Sequence, residues 1–226
     1  MQALRLALRP MVSFRVAAVT RIYGDTVALW NVDLEGRSGQ LIAIQGANGS
    51  GKSTLLRTIA GLAAPTRGQV AWTVDTPGAR PRIGLLGHAS HLFEELTATE
   101  NVVLAARLAG VHESIAIDLL DRLGVSQWAA ARAGALSAGT RRRVGLARAL
   151  ATDPDAILVD EPFAGLDSAA ADRVQEVLAE TREQGRIVVI ATHDDARSDA
   201  IATGGYRLDR GRLHLARPLA PMRAAQ

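Results

Sequence analysis

Gly46-Ala47-Asn48-Gly49-Ser50-Gly51-Lys52-Ser53-Thr54 lies between an apolar run, Leu41-Ile42-Ala43-Ile44, and a helix-like run, Leu55-Leu56-Arg57-Thr58-Ile59-Ala60. Gly46 to Ser53 fits the pattern G-x-x-x-x-G-K-[ST], a phosphate-binding loop when a strand precedes it and a helix follows. Both flanks are present. Glycines let the backbone turn its N–H groups toward a phosphate without a Cβ clash. The helix behind them adds its N-terminal dipole and free N–H groups. Lys52 is then placed to reach the β- and γ-phosphates and Ser53 to hold Mg²⁺, with Thr54 beside it. Lys52 is also the only lysine; every other basic side chain is arginine. The chain favours Arg over Lys generally. A compact ammonium nevertheless suits a site between phosphate oxygens better than a planar guanidinium.

The bulk of the chain sets limits on what surrounds this loop. It has 226 residues, 48% of them hydrophobic, enough for a sizeable core in one large or two small domains. Charged residues make up 22%, and the net charge is only +3. The isoelectric point near 10.1 reflects arginines that never lose their charge, so it gives no ground for nucleic-acid binding. Cysteine is absent, which excludes a disulfide framework and a thiolate metal site. No run of about 18 apolar residues exists, so the chain is not expected to span a membrane by itself. Residues 1–13 read as a leader. Its basic, apolar start, Met1-Gln-Ala-Leu-Arg-Leu-Ala-Leu-Arg-Pro10, is too short and too interrupted for a signal peptide. It is open as a frayed end, as a basic contact with anionic lipid, or as sequence upstream of a start at Met11. Residues 217–226 read as a disordered tail.

Between these ends, strands and helices alternate. Phe14–Val19 and Leu29–Leu34 read as strands joined by a turn at Tyr23-Gly24-Asp25, although their alternation is partial. Leu41–Ile44, Gln69–Val74, Ile83–Gly87, Asp155–Asp160 and Ile187–Ala191 read as further strands. The last is nearly all β-branched, as a central parallel strand should be. Gly61 is placed to end the helix after Lys52. From about 88 to 152 the pattern is helical almost throughout, an insertion between two core strands. Thr97-Ala98-Thr99-Glu100 resembles a helix start, and a strongly basic helix runs over Thr140–Ala151. Ser168–Glu183 is an amphipathic helix with Ser168 as its expected cap. Asp194–Ala202 is a further helix, and a hairpin turns at Arg210-Gly211. This order predicts an α/β fold with a phosphate-loop core.

Four further segments carry chemistry. Leu136-Ser137-Ala138-Gly139-Thr140 is a small-residue turn at the start of the basic helix, a second phosphate site by the same dipole argument. Ile157-Leu158-Val159-Asp160-Glu161 ends an apolar strand in two acids. Asp160 is placed to hold the Mg²⁺ shell and Glu161 to accept a proton from, or orient, an attacking water. Ala164-Gly165-Leu166-Asp167 turns directly after them. His193 follows the strand Ile187–Ala191, at the end of an open sheet where ligands bind. Read singly, each has a bland explanation as a cap, a turn or a surface residue.

Together and in this order, the segments resemble the nucleotide-binding domain of ABC transporters, over about residues 14–215. The resemblance implies a P-loop NTPase of the ABC ATPase type: a mixed β core with an inserted helical subdomain, within a domain spanning 14–216. It implies that ATP and Mg²⁺ bind, that Tyr23 stacks on adenine, and that Gly46–Thr54 is the Walker A loop. Asp160 then matches the Walker B aspartate, Glu161 the catalytic glutamate, Gly165–Asp167 the D-loop and His193 the switch histidine. In that family two copies pair head to tail, so Ser137 and Gly139 are expected on the partner's nucleotide. The partners implied are a second copy and an integral membrane permease, at the cytoplasmic face of the cell membrane. Two departures stand out. Ala138 and Thr140 replace a glycine and a glutamine of the signature. Aligning Leu92-Phe93-Glu94-Glu95-Leu96-Thr97 with the family's Leu-Tyr-Pro-Asp-Leu-Thr places His88 where a glutamine senses the γ-phosphate. A neutral imidazole offers a ring nitrogen to the Mg²⁺ shell or to a water.

Within the family, Gly87-His88, Leu92–Thr97, Ala98-Thr-Glu-Asn-Val102 and Asp160-Glu-Pro-Phe163 are similar to the haem-exporter ATP-binding subunit of cytochrome c maturation. An ATPase of another small exporter, for drugs, lipids or polysaccharide, is the alternative. A non-transport ABC ATPase fits less well, because no long coiled-coil insertion or second ATPase domain is present. Leu92 and Phe93 read either as part of a groove for a partner's cytoplasmic helix or as packing between subdomains.

Overall fold

The computed structural model describes residues 9–219. Most of the leader expected over 1–13 and of the tail expected over 217–226 therefore lies outside the described residues. Two sheets carry the chain. β1 (Val12–Tyr23), β2 (Thr26–Arg37) and β4 (Arg67–Val74) form an antiparallel sheet in the order β2-β1-β4. β3 (Leu41–Gln45), β5 (Ile83–Leu86), β6 (Ala156–Asp160), β7 (Ile187–Thr192), β8 (Gly204–Asp209) and β9 (Arg212–Arg217) form a second sheet, ordered β5-β6-β7-β3-β8-β9. Its first five strands are parallel, and β9 closes the edge as a hairpin. Its helices are α1 (Lys52–Ile59), α2 (Ala98–Leu108), α3 (Ile115–Arg122), α4 (Ala138–Leu150), α5 (Ser168–Glu183) and α6 (Asp195–Ile201).

β3, β6 and β7 are buried along their whole length. Alternate residues face opposite sides, as strand geometry requires. Ala43, Ile157, Val159, Val188 and Ile190 point into one core with α2, α3, α4 and α5. Ile42, Ile44, Leu158, Val189 and Ala191 point into another with α1 and the antiparallel sheet. The parallel sheet is thus covered on both faces, which is why its strands are apolar throughout.

The helical subdomain α2–α4 leaves the sheet after β5 and returns at β6, and these two strands pair directly (Leu86 with Val159). α2 begins at the helix start read from the sequence, and the structure shows a capping box there. Glu100 N–H donates to Thr97 Oγ1 at 3.1 Å, and Thr97 N–H donates to Glu100 Oε2 at 2.8 Å. Asn101, only 1% exposed, fastens the loop before it. Its Nδ2 donates to the carbonyls of Phe93 (3.0 Å), Leu96 (3.3 Å) and Thr97 (3.0 Å), and its Oδ1 accepts from Phe93 N–H (2.8 Å). Replacing it with Leu strands several buried backbone groups. Asn101→Leu is expected to lower the unfolding free energy by about 3 kcal/mol in urea titrations. The 92–97 loop should become the first segment to exchange its amide hydrogens. An unchanged denaturation midpoint counts against this.

Three local expectations change. The antiparallel strands are longer than the alternation predicts and carry bulges. Register shifts lie between Val16 and Val19, where Ala18 has φ +50°, and between Val19 and Arg21, opposite Asn31 at φ +48°. The cap of α5 is Asp167, whose Oδ1 accepts from Ala170 N–H at 2.8 Å. Ser168 is already the first helical residue, and its Oγ accepts from Arg197 at 3.1 Å. The basic helix starts earlier than read, at Ala138, with Ser137 as its cap.

Candidate functional site

All the strongest candidates sit at the carboxyl ends of parallel strands, where an open α/β sheet leaves a crevice. β3 runs into the Gly46–Thr54 loop, β6 into Asp160-Glu161, β7 into Thr192-His193, and β5 into Gly87-His88.

The loop is a cradle that side chains would close. At Gly46 a Cβ would lie 2.3 Å from the Leu208 carbonyl oxygen, and at Gly51 (φ +109°) it would lie 2.4 Å from that of Ala28. Neither position accepts a larger residue. The β8–β9 hairpin grips the loop's far side, where Gly211 N–H donates to the Ser50 carbonyl at 3.0 Å and Trp30 N–H to the Gly211 carbonyl at 2.8 Å. Gly51 caps α1, and Lys52 is its first residue.

Lys52 is 5% exposed, and its ammonium donates to the carbonyls of Gly46 (2.8 Å) and Ala47 (3.1 Å). Its Nζ also lies 3.4 Å from Glu161 Oε1. That Oε1 is buried and has no hydrogen-bond partner among the described residues, and the same is true of Ser50 Oγ. A buried ammonium and an unpartnered hydroxyl inside a glycine cradle fit a polyphosphate. Ser53 Oγ donates to Asp160 Oδ2 at 2.5 Å, and Asp160 is 3% exposed. A hydroxyl and a carboxylate converging beside that cradle are the hard oxygen donors Mg²⁺ prefers.

Glu161 connects these groups to His193. Its φ is +49°, in the left-handed region, and its N–H donates to the Ala191 carbonyl at 2.7 Å. Strain of this kind persists where surrounding contacts over-determine it. His193 Nδ1 lies 2.9 Å from Glu161 Oε2, which also accepts from Thr192 Oγ1 at 3.2 Å. Burial pushes the Glu161 carboxyl up. The hydrogen bond and charge of His193 and the charge of Lys52 outweigh that, leaving it below the usual carboxylate range. Glu161 is therefore held as an anion facing the lysine.

The glycine-serine turn and the Gly165–Asp167 turn pack together. Ser137 Oγ accepts from Thr140 N–H at 3.2 Å and donates to Thr140 Oγ1 at 2.9 Å. A Cβ on Gly139 would stand 2.9 Å from the Gly165 carbonyl oxygen and 3.1 Å from Leu166. Gly139→Ala must push these turns apart. On the head-to-tail pairing that the resemblance implies, the expected result is a folded chain that no longer associates with itself when ATP is added, read by size-exclusion chromatography. Asp167, which the resemblance places in the D-loop, also caps α5.

The arginines after this turn have separate tasks that sequence reading missed. Arg141 donates to the carbonyls of Gly134 (3.2 Å) and Leu136 (3.1 Å). Arg143 donates to those of Leu123 and Gly124, both at 3.1 Å. Arg142 reaches back to the site, bonding the Asp160 carbonyl and, at 3.3 Å, the His88 carbonyl. Burial pushes its guanidinium below the usual range, against the raising charges of Asp160 and Glu161. His88 thus joins the site through its backbone. Its ring is exposed and makes no hydrogen bond among the described residues. No local signal distinguishes Arg142 from its two neighbours; only the return of α4 toward β6 does. Tyr23 stands apart at the end of the β1–β2 hairpin, 44% exposed.

Comparison with known proteins agrees with this arrangement. The ABC transporter family model matches residues 29–164. The sulfate/thiosulfate import ATP-binding protein CysA of Mycobacterium tuberculosis is 36% identical over 208 residues, 88% of this chain. The chain spans 59% of that protein's length. The lipoprotein-releasing system ATP-binding protein LolD of Gluconobacter oxydans is 40% identical over 182 residues, covering 74% of this chain and 79% of that protein. Among solved structures, a dimeric ATP-binding cassette in a post-hydrolysis state, bound to ADP and Pi, superposes with a TM-score of 0.81 at 31% identity. That match covers 92% of this chain and 100% of the other. With the phosphate cradle, the paired acids and the glycine-serine turn on one α/β core, the chain belongs to the ABC transporter family, as an ATP-binding cassette.

Proposed function

We propose that this chain is the ATP-hydrolysing subunit of a membrane transporter, working as a head-to-tail pair. The observation that carries this reading is the continuous line Lys52–Glu161–His193 beside Ser53–Asp160. Lys52, Ser50 and the loop backbone take the β- and γ-phosphates. Ser53 and Asp160 hold Mg²⁺, which when bound neutralises phosphate charge. Glu161 accepts the proton of the attacking water or orients it, and His193 fixes that carboxylate. Ser137 and Gly139 of a second copy complete the nucleotide site, so one copy binds ATP and two hydrolyse it. Binding closes the pair, and hydrolysis resets it.

The partner is an integral membrane permease, with this chain peripheral on the cytoplasmic face. No helix among the described residues is long and apolar enough to cross a membrane. Phe93, 54% exposed on the loop that Asn101 fastens, suits a groove for a permease's cytoplasmic helix. For the cargo, the Gly87-His88 pair, the 92–102 stretch and Phe163 after Pro162 favour haem export for c-type cytochrome assembly. Another small exporter is the alternative. The substrate would be chosen in the permease. Affinity purification of the tagged chain from membranes with mass spectrometry tests both levels. A haem-exporter permease and loss of c-type cytochromes on deletion support the finer reading; a permease of another class overturns it.

A further inference from the structure

Arg21 and Tyr23 are two residues apart on β1, so their side chains share one face. The Arg21 guanidinium carbon lies 4.3 Å from the centroid of the Tyr23 ring. The guanidinium does not swing freely. Arg21 Nη1 donates to the Ala64 carbonyl at 2.8 Å, in the loop that follows α1. That loop is itself sewn to β1, with Ile22 N–H donating to Thr66 Oγ1 at 3.1 Å and Thr66 N–H to the Thr20 carbonyl at 2.8 Å. One face of the Tyr23 ring is therefore backed by an anchored cation, while the residue remains 44% exposed.

The position of this pair fits a nucleotide base. Tyr23 pairs with Thr26 across the hairpin. Two residues further along β2, the Ala28 carbonyl lies against Gly51 of the phosphate cradle. Ala28 is skipped in the pairing, between Arg21 with Leu29 and Ile22 with Val27, so Arg21 and Tyr23 lie on the stretch of β1 that flanks the contact with the cradle. A base attached to phosphates in the cradle would meet an aromatic face held still from behind.

Resting on the reading that ATP occupies the cradle, we infer that Arg21 is a positioning residue for the base. It holds the Tyr23 ring in its stacking orientation. Its charge also makes the ring's far face more electron-poor, which strengthens stacking with an electron-rich purine. The Arg21 guanidinium is held by the Ala64 carbonyl and the Tyr23 ring, so its effect should depend on the base and on Tyr23.

The test is calorimetric titration of the full chain with ATP and, separately, with inorganic tripolyphosphate, which fills the cradle without a base. Arg21→Gln keeps an N–H donor for the Ala64 carbonyl but removes the cation. It should weaken ATP about threefold to tenfold and leave tripolyphosphate unchanged. Arg21→Lys, which keeps the cation, should recover part of the ATP affinity. In a Tyr23→Ala background, adding Arg21→Gln should change nothing further. Equal ATP affinity in wild type and Arg21→Gln overturns the proposal. So does equal weakening of both ligands, or an undiminished effect without Tyr23. A wild-type chain that binds tripolyphosphate but not ATP overturns the base site itself, and one that binds neither removes the ATP reading on which it rests.

Discussion

Glu161→Gln should leave a chain that binds ATP, pairs with a second copy and stays paired. The substitution is nearly isosteric. It keeps an oxygen for Thr192 and His193 but removes the negative charge facing Lys52 at 3.4 Å. Without a carboxylate there is no acceptor for the proton of the attacking water. Hydrolysis should fall by about 10²- to 10⁴-fold, the range for loss of a positioned general base. Affinity for ATP should hold or rise, because the substitution removes a negative charge beside Lys52 and none of the cradle's donors. Size-exclusion chromatography should show a dimer with ATP and a monomer with ADP. A mutant that hydrolyses normally, or remains monomeric with ATP, counts against the head-to-tail mechanism. The wild-type carboxyl is held below its ordinary range by His193 and Lys52 despite burial. Activity that depends on its ionised form should therefore persist through neutral pH and fall only as pH drops through that lowered value. The sign for stability is the same. The carboxylate's contribution is present above the unfolded-state value and lost as pH falls through the folded one.

Much of this site is legible in the sequence because it consists of strand ends. A parallel strand buried on both faces is an unbroken apolar run, so its last residue is visible as the point where polarity returns. Gln45-Gly46, Asp160-Glu161 and Thr192-His193 all mark that point, and the topology then brings them together. The helix start at Thr97–Glu100 and the glycine ending α1 are equally local and equally readable. What resists reading is set by contacts distant in the chain. The bulges at Ala18 and Asn31 break the alternation of β1 and β2, and each takes a left-handed conformation at a residue that is not glycine. The Ala18 bulge interrupts the pairing of β1 with both of its neighbours, and no local residue choice announces either bulge. Ser168 and Asp167 are both acceptable caps by type, and only the geometry of the turn selects the acid. Arg141, Arg142 and Arg143 look like one basic cluster, yet they serve three separate sets of carbonyls. At His88, which sequence reading singles out, the fold shows a backbone contact with Arg142 that the sequence does not announce. That guanidinium ties the β5 loop to the Asp160 carbonyl, while the imidazole stays exposed.

Lys52→Arg should abolish hydrolysis in a chain that still folds. The composition makes this a demanding test, since arginine serves everywhere else that a basic side chain stands. At this position the ammonium occupies a closed volume. The Gly46 and Ala47 carbonyls lie 2.8 and 3.1 Å from Nζ, with Glu161 Oε1 opposite. The walls do not give way easily. Gly46 is pressed against the Leu208 carbonyl, and the Gly211 N–H holds the Ser50 carbonyl at 3.0 Å. A guanidinium is planar and larger, and its donors form a fixed fork rather than three directions about one nitrogen. It must either displace Glu161 or leave the cradle and take the volume meant for phosphate. The charge is preserved in both cases, so long-range electrostatics stay constant and the loss reports geometry. Turnover should drop by at least about 10³-fold, since one misplaced electrostatic contact at a transition state costs 10²- to 10³-fold and here Glu161 is disturbed as well. The melting temperature should shift by only a few degrees, because both sheet faces remain packed without this side chain. Circular dichroism melts and a phosphate-release assay on the same preparation separate the outcomes. Wild-type turnover in the mutant removes Lys52 from the phosphate site. A chain that fails to fold shows instead that the buried ammonium is a structural support for the Gly46–Gly51 loop.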